Sequence, residues 1–275
     1  MKKYVFVDID GTLYDFKNHC VPESAEKALK QAKENGHELF ICTGRVKAMV
    51  ESIYHALPVS GFVYGCGSHI EVHHEIIYQA SFPKEEMKHL MDYFTEHRVG
   101  FSLEGAETSY FSEKTLKMYM SYFCGNNPEM EERFMGGKVI KKISELDDAG
   151  CDQVLKMSFQ ADHMDDVRDA LDNLSDKLTY FIYSGTFNDS VQGEILIKGS
   201  DKADSIDRVL QYFDGTIEDT IALGDSENDI SMIQKAHCGV AMGNGCDALK
   251  AEADYITSAV YEDGLYQAFE TLKLI

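Results

Sequence analysis

The sequence predicts an α/β fold: a doubly wound parallel-sheet core with a second α/β domain inserted in it. Three observations predict it. Short apolar runs alternate with helical patterns over the first 80 residues, the alternation lapses from about Pro83, and it resumes after about Val191. Parallel strands joined by helical crossovers require a sheet covered on both faces. A chain of 275 residues is long enough for one large α/β domain or two modest ones, and two is the expectation.

In order, Tyr4 to Val7 reads as a buried strand, and Pro22 to Asn35 as a helix opened by Pro22 and stopped near Gly36. Glu38 to Cys42 is a second strand, and Arg45 to Ala56 a helix ending before Pro58. Phe62 to Tyr64, then a hairpin-like pair at His69 to Val72 and Ile76 to Gln79, lead out of the unit. Longer amphipathic helices and alternating strands follow, including Gln153 to Phe159 and Leu178 to Tyr183. Leu116, Tyr119, Met120 and Phe123 recur at i, i+3, i+4 and i+7, the contact stripe of a core helix. After Val191 the strand Glu194 to Ile197, a helix from Asp201 to Tyr212, strand Thr220 to Leu223, a helix from Asp229 to Lys235 and strand Gly239 to Ala241 restore the first pattern. The expected domains are therefore 1–82 with 191–275 as core and 83–190 as insert.

The balance of 26 basic against 47 acidic residues, a formal net charge of -21, excludes a general attraction to nucleic acid or an anionic membrane. Any anionic substrate must be received locally. Seven cysteines without CxxC spacing do not suit a disulfide framework, and no signal-peptide pattern or bilayer-length apolar run is present. A cytoplasmic protein is expected, as monomer or homodimer.

The strongest local signal is Asp8-Ile9-Asp10-Gly11-Thr12 at the end of the first strand. Ligands of open α/β sheets bind outside the carboxyl ends of strands. Carboxylates at i and i+2 repel unless a cation or proton lies between them, and a hard ion such as Mg²⁺ suits oxygen donors. One carboxylate is then a nucleophile and the other a general acid/base. Thr43-Gly44-Arg45 opens the next expected helix, where hydroxyl and free N–H groups make an anion receptor or an ordinary N-cap. Lys198-Gly199-Ser200-Asp201-Lys202 offers two lysines for a phosphate. Gly224-Asp225-Ser226-Glu227-Asn228-Asp229 places Asp225, like Asp8, at a strand's carboxyl end, ready to complete an oxygen shell.

With these four elements in one chain, the sequence resembles the haloacid dehalogenase superfamily, in its Cof-like branch of sugar-phosphate and related phosphatases. The resemblance covers essentially the whole chain. Its first motif matches Asp8 to Thr12, its second Thr43 to Arg45, and its fourth Gly224 to Asp229. The lysine of the third matches Lys202 rather than Lys198. The resemblance implies a Rossmann-like core, a large α/β cap, a small phosphorylated metabolite as substrate, and Asp8 as nucleophile with Asp10 as acid/base. It implies Mg²⁺ held by Asp8, the Asp10 main-chain carbonyl and Asp225, with Thr43, Gly44, Lys202 and Asn228 about the phosphoryl group. Gly11, Thr12, Arg45 and Asp229 support them, Asp229 by orienting either Lys202 or a metal-bound water. A phosphomutase and a non-catalytic phosphate-binding module are the rival readings.

Relatives usually carry an Asn-Gly-Ala-like turn after the third strand, where this chain has Gly65-Cys66-Gly67-Ser68. Nothing in the local sequence supplies a cation to activate Cys66, which reads as loop filler. His73-His74 reads as no chelate, since adjacent strand residues point to opposite faces.

Overall fold

A computed structural model describes residues 1–50, 52–121, 125, 139–183 and 190–275. Two compact units emerge: Met1–Arg45 with Glu51–Gln79 and Ser200–Ile275, and Val46–Val50 with Ala80–Gly199.

The first unit is built on eight strands: β1 (Tyr4–Val7), β2 (Glu38–Cys42), β3 (Gly61–Tyr64), β4 (His69–Val72), β5 (Glu75–Gln79), β12 (Thr220–Gly224), β13 (Cys238–Ala241) and β14 (Tyr255–Ile256). They lie in the order β14-β13-β12-β1-β2-β3-β4-β5, parallel from β14 to β3, with β4 and β5 as an antiparallel hairpin at the edge. Alternation sends Tyr4 and Phe6 to one face, where they join Phe40, Ala222, Ile206, Val209 and Met232 in one core cluster. Val5, Val7, Leu39 and Ile41, on the other face, are equally buried. From β1 the chain runs outward through β2 and β3 on one side and re-enters the sheet at β12 on the other side of β1, so the topological switch point falls at the carboxyl end of β1.

The second unit is a six-stranded sheet in the order β10-β11-β9-β6-β7-β8, from β6 (Gly100–Gly105), β7 (Ser109–Phe111), β8 (Ile140–Lys142), β9 (Val154–Ala161), β10 (Leu178–Ile182) and β11 (Val191–Ile197). Helices Lys84–Glu96 and Asp165–Asp172 cover one face through Met87, Leu90, Phe94, Val167 and Leu171 against Phe101, Leu103, Met157 and Ile195. The strand expected to return the chain to the core, β11, instead pairs antiparallel with β9 and β10. The units accordingly divide at 79/80 and 199/200, not at 82/83 and 190/191. Glu194 to Ile197 is apolar enough for a core strand, and only its pairing distinguishes the sheets.

Two local expectations fail. The helix expected from Arg45 to Ala56 is replaced by extended Val46, a 3₁₀ turn at Lys47–Met49 and a short helix at Ser52–His55. Val46 and Met49 pack with Ala106 and Leu155, and the Ala48 N–H donates to the Ala106 carbonyl, which draws this segment into the second unit. His73 and His74 are turn residues, not strand residues, both left-handed at φ 49° and 69°, and they close the β4–β5 hairpin. Leu116 is buried with Phe111 and Ile140, and Tyr119 and Met120 pack against them; Phe123 lies outside the described residues.

Candidate active site

Parallel register sets the site. Val7 pairs with Leu223 on one side and Ile41 on the other, so Asp8, Gly224-Asp225 and Cys42-Thr43 leave the sheet at one edge. The Asp8 N–H still donates to the Leu223 carbonyl at 3.0 Å. Asp8 is 4% exposed and Thr43 1%. Gly11, at φ +88°, turns the chain there; a Cβ on it would lie 2.2 Å from Asp225 Oδ2. Thr12 Oγ1 donates to Asp225 Oδ1 at 3.2 Å.

Lys202 begins the helix Lys202–Phe213, whose N-cap is Asp201, with a reciprocal bond from Asp204. Its side chain is fully buried, and Nζ donates to Asp8 Oδ1 at 2.7 Å and to Asp229 Oδ1 at 2.5 Å. The other oxygen of Asp229 accepts the N–H groups of Asp225 and Ser226 at 3.0 and 3.1 Å. Asp229 therefore contacts Lys202 directly and holds the Asp225 loop in place. Arg45 grips Asp10 with two parallel bonds, Nε to Oδ2 at 2.8 Å and Nη2 to Oδ1. Asn228 Oδ1 accepts the Ser226 hydroxyl at 2.7 Å, and Gly44 is half-buried.

Thr43 does not start a helix. Its hydroxyl accepts the Arg45 N–H at 3.1 Å, closing a small turn, so the expected anion receptor at a helix N-terminus is absent there. Cys66 is buried in a left-handed conformation (φ 57°), and a Cβ on Gly67 would lie 2.2 Å from the Asp201 carbonyl. The loop after β3 is thus a seat for the start of the lysine's helix. Sequence reasoning missed Asn244, whose Nδ2 donates to the Gly11 carbonyl and whose Oδ1 accepts the Val260 N–H, both at 2.8 Å. Its only signal is Gly243-Asn244-Gly245, which reads as an ordinary turn.

One oxygen from each of Asp8, Asp225 and Asp229 lies within 4.8 Å of the others. Burial, reinforced by Asp229, pushes the Asp8 carboxyl well up despite Lys202. The same two causes bring Asp225 up to about 7, against Lys202 and Thr12. Burial alone would lower Lys202, but Asp229 and Asp8 hold it well above the usual range, so it is an ammonium. One ammonium faces three carboxylates, and such an excess of hard oxygen donors fits a divalent cation. Asp229 already accepts from the Lys202 ammonium and the Asp225 and Ser226 N–H groups, so within this cluster the carboxylates of Asp8 and Asp225 are the ones that could hold such an ion. The side chain of Asp10 is outside this group and paired with Arg45.

Among the described residues, no helix is long and apolar enough to cross a membrane. Residues 5–269 match the haloacid dehalogenase-like hydrolase family. YkrA of Bacillus subtilis, whose phosphatase name is provisional, is 28% identical over 99% of this chain and 98% of its own. YcsE of the same organism, a 5-amino-6-(5-phospho-D-ribitylamino)uracil phosphatase, is 28% identical over 97% of this chain and 94% of its own. The solved structure of the subclass IIB sugar phosphatase BT4131 superposes with a TM-score of 0.80 at 27% identity, over all of both chains.

Proposed function

Because this chain belongs to the haloacid dehalogenase-like hydrolases and is a phosphatase of their Cof-like branch, we propose that it acts on small phosphorylated metabolites, sugar phosphates foremost, through an aspartyl-phosphate on Asp8. The observation that carries this reading is the buried contact of Asp8 with Lys202 at the carboxyl end of the central strand. A nucleophilic carboxylate there has one oxygen fixed by the ammonium, so its other oxygen is oriented for attack on phosphorus.

Mg²⁺ held by Asp8, the Asp10 main-chain carbonyl and Asp225 would offset the repulsion between carboxylate and phosphoryl oxygens. Thr43, Gly44, Lys202 and Asn228 surround the phosphoryl group, with Lys202 supplying positive charge where negative charge accumulates. Asp10 protonates the leaving alkoxide, then takes a proton from the water that opens the acyl-phosphate. Arg45 orients Asp10 between these roles, and Asp229 fixes Lys202 and the Asp225 loop together. The second unit is the part that selects the leaving group. The sugar phosphatase BT4131 supports the substrate class, while the uracil-derivative phosphatase YcsE supports a wider range of phosphate monoesters.

The test is phosphate release from a panel of phosphorylated metabolites, with and without Mg²⁺, by the wild type and Asp8→Asn. Mg²⁺-dependent release that Asp8→Asn abolishes for every substrate is the expected result. Turnover in excess EDTA, or by Asp8→Asn, would refute the mechanism; an isomeric phosphate as product would instead mark a mutase.

A further inference from the structure

Two loops of the first unit carry the oxygens assigned above to a divalent cation: the loop after β1, with Asp8 and the Asp10 main-chain carbonyl, and the loop after β12, with Asp225. A third segment, the turn from Met242 to Cys246 that follows β13, has no part in that chemistry yet is bonded to both loops. Its Met242 and Cys246 N–H groups donate to the Gly224 and Asp225 carbonyls at 2.9 and 2.8 Å. Its Asn244 side chain donates from Nδ2 to the Gly11 carbonyl at 2.8 Å. Thr12, next after Gly11, donates to Asp225 Oδ1 at 3.2 Å, and the hydrogen bonds thereby close a circuit from Asn244 through Gly11, Thr12 and Asp225 back to Cys246.

The circuit needs an amide at position 244. Oδ1 accepts the Val260 N–H at 2.8 Å while Nδ2 donates to Gly11, so the two ends of one side chain meet a donor and an acceptor. A carboxylate only accepts, and an apolar side chain does neither. Val260 is buried and opens the 3₁₀ turn Val260–Glu262, which fixes the amide from behind. The turn is also closely seated: a Cβ on Gly243 would lie 2.7 Å from the Ala259 nitrogen, and one on Gly245 3.0 Å from the Asp225 carbonyl oxygen.

Gly11 is held from both ends, its N–H donating to the Tyr14 carbonyl at 3.1 Å and its carbonyl accepting from Asn244. A trans peptide is planar with C=O and N–H on opposite sides, so fixing the Gly11 N–H also fixes the direction of the Asp10 carbonyl. Glycine has the freest backbone of any residue, and without Asn244 the loop is restrained at Gly11 on one side alone.

We propose that Asn244 is a positioning residue for the divalent cation, acting through Gly11 to hold the loop from Asp8 to Thr12 at a fixed spacing from Asp225. The proposal rests on the reading of Asp8, the Asp10 carbonyl and Asp225 as the Mg²⁺ ligands. Mg²⁺ demands near-ideal octahedral geometry at about 2.0–2.1 Å, so a small drift between the two loops is felt as lost affinity. Groups that orient ligands from behind are worth roughly 10- to 100-fold in metal affinity.

The probe is Mn²⁺, which takes the same oxygen donors, titrated into the substrate-free full-length chain with the free ion read by electron paramagnetic resonance. Asn244→Ala, Asn244→Leu and Asn35→Ala are compared with the wild type, each checked for folding by thermal melting. Leucine fills the space of asparagine but makes neither bond. Asn35→Ala removes a like bond, from Nδ2 to the Leu274 carbonyl at 2.9 Å, ahead of β2 at the amino ends of the strands. Both Asn244 variants are expected to bind Mn²⁺ roughly 10- to 100-fold more weakly, with Asn35→Ala unchanged. In phosphate release the half-activating Mg²⁺ concentration should rise by the same factor, with the substrate KM at saturating Mg²⁺ little changed. A merely structural role would lower the melting temperature without moving the metal affinity. An unmoved affinity in the folded Asn244 variants, a loss in alanine that leucine restores, or an equal loss in Asn35→Ala would overturn the role of Asn244 and leave the metal site in place. Mn²⁺ binding that Asp225→Asn leaves intact would instead overturn the metal site itself.

Discussion

Gly11→Ala separates backbone strain from crowding at the site, because the chain supplies its own comparison. Gly11 and Gly36 have nearly the same left-handed φ, +88° and +89°, yet a Cβ on Gly36 meets nothing within 4 Å. The backbone cost alone is about 1–2 kcal/mol for either alanine. At Gly11 the new Cβ also falls 2.2 Å from Asp225 Oδ2 and 2.7 Å from its Cγ. Ordinary contact then requires Asp225 to retreat by roughly 1 Å, and overpacking of this kind costs about 1–3 kcal/mol more. Asp225 cannot retreat easily, since its N–H is bonded to Asp229, its carbonyl to the Cys246 N–H and its side chain to Thr12. A displacement of ~1 Å at a catalytic group costs on the order of 10²-fold in rate. Urea unfolding of both variants and phosphate release from p-nitrophenyl phosphate make the measurement. Gly11→Ala should be the less stable by ~1–3 kcal/mol and at least ~10²-fold slower, with Gly36→Ala active. Equal stability within about 0.5 kcal/mol and retained activity would refute the reasoning.

Lys202→Met leaves Asp8 and Asp229 facing each other without their ammonium, at a cost of about 3–5 kcal/mol near neutral pH and with loss of turnover. The Asp8 carboxyl, which burial and Asp229 push up against Lys202, then loses the ammonium that opposes the rise and binds its proton more tightly folded than unfolded, so the deficit should shrink between pH 7 and pH 5 in paired melting curves. Glu38 behaves oppositely: burial would raise its carboxyl, but Lys33, Ser60 and Lys2 hold it at about 2, below the ordinary 4.5. Its contribution is present above pH 4.5 and lost as the pH falls through about 2. Glu38→Gln should therefore destabilise by ~1–2 kcal/mol at pH 7, allowing for solvent screening, with the difference gone by about pH 2 in urea titrations. Asn244→Ala removes the bond to the Gly11 carbonyl and strands the Val260 N–H, so unfolding should register ~1–3 kcal/mol and kcat should fall with KM little changed.

The core and its motifs were legible because a buried parallel strand is written as an apolar run, and the residue that ends the run leaves the sheet at the ligand edge. Tyr4-Val5-Phe6-Val7 before Asp8 and Thr220 to Gly224 before Asp225 both obey this. Lys202 was recognisable only by resemblance, since its partners Asp8 and Asp229 are remote in sequence. Where a segment's neighbours decide its conformation, local pattern misleads. Val46 to Val50 has a helical composition but forms only a 3₁₀ turn at Lys47–Met49 between extended Val46 and Val50, packed on Ala106 and Leu155, and β11 has the apolar content of either sheet. His73-His74 lacks the Asn-Gly signature of a two-residue hairpin turn yet adopts its backbone. Asn244 was invisible because its role lies in two bonds to distant main-chain atoms.

The seat beneath the lysine's helix has a consequence for how the protein tolerates variation. The space a side chain would need at Gly67 is already taken by the carbonyl of Asp201, the residue immediately before Lys202. The address of the ammonium is thus specified by a residue with no functional group to lose. In a saturation-mutagenesis map, position 67 should be as intransigent as a reacting residue, while chemistry-based inspection would pass over it. Variation in the loop around Cys66 is accordingly constrained most tightly at a position that carries no side chain.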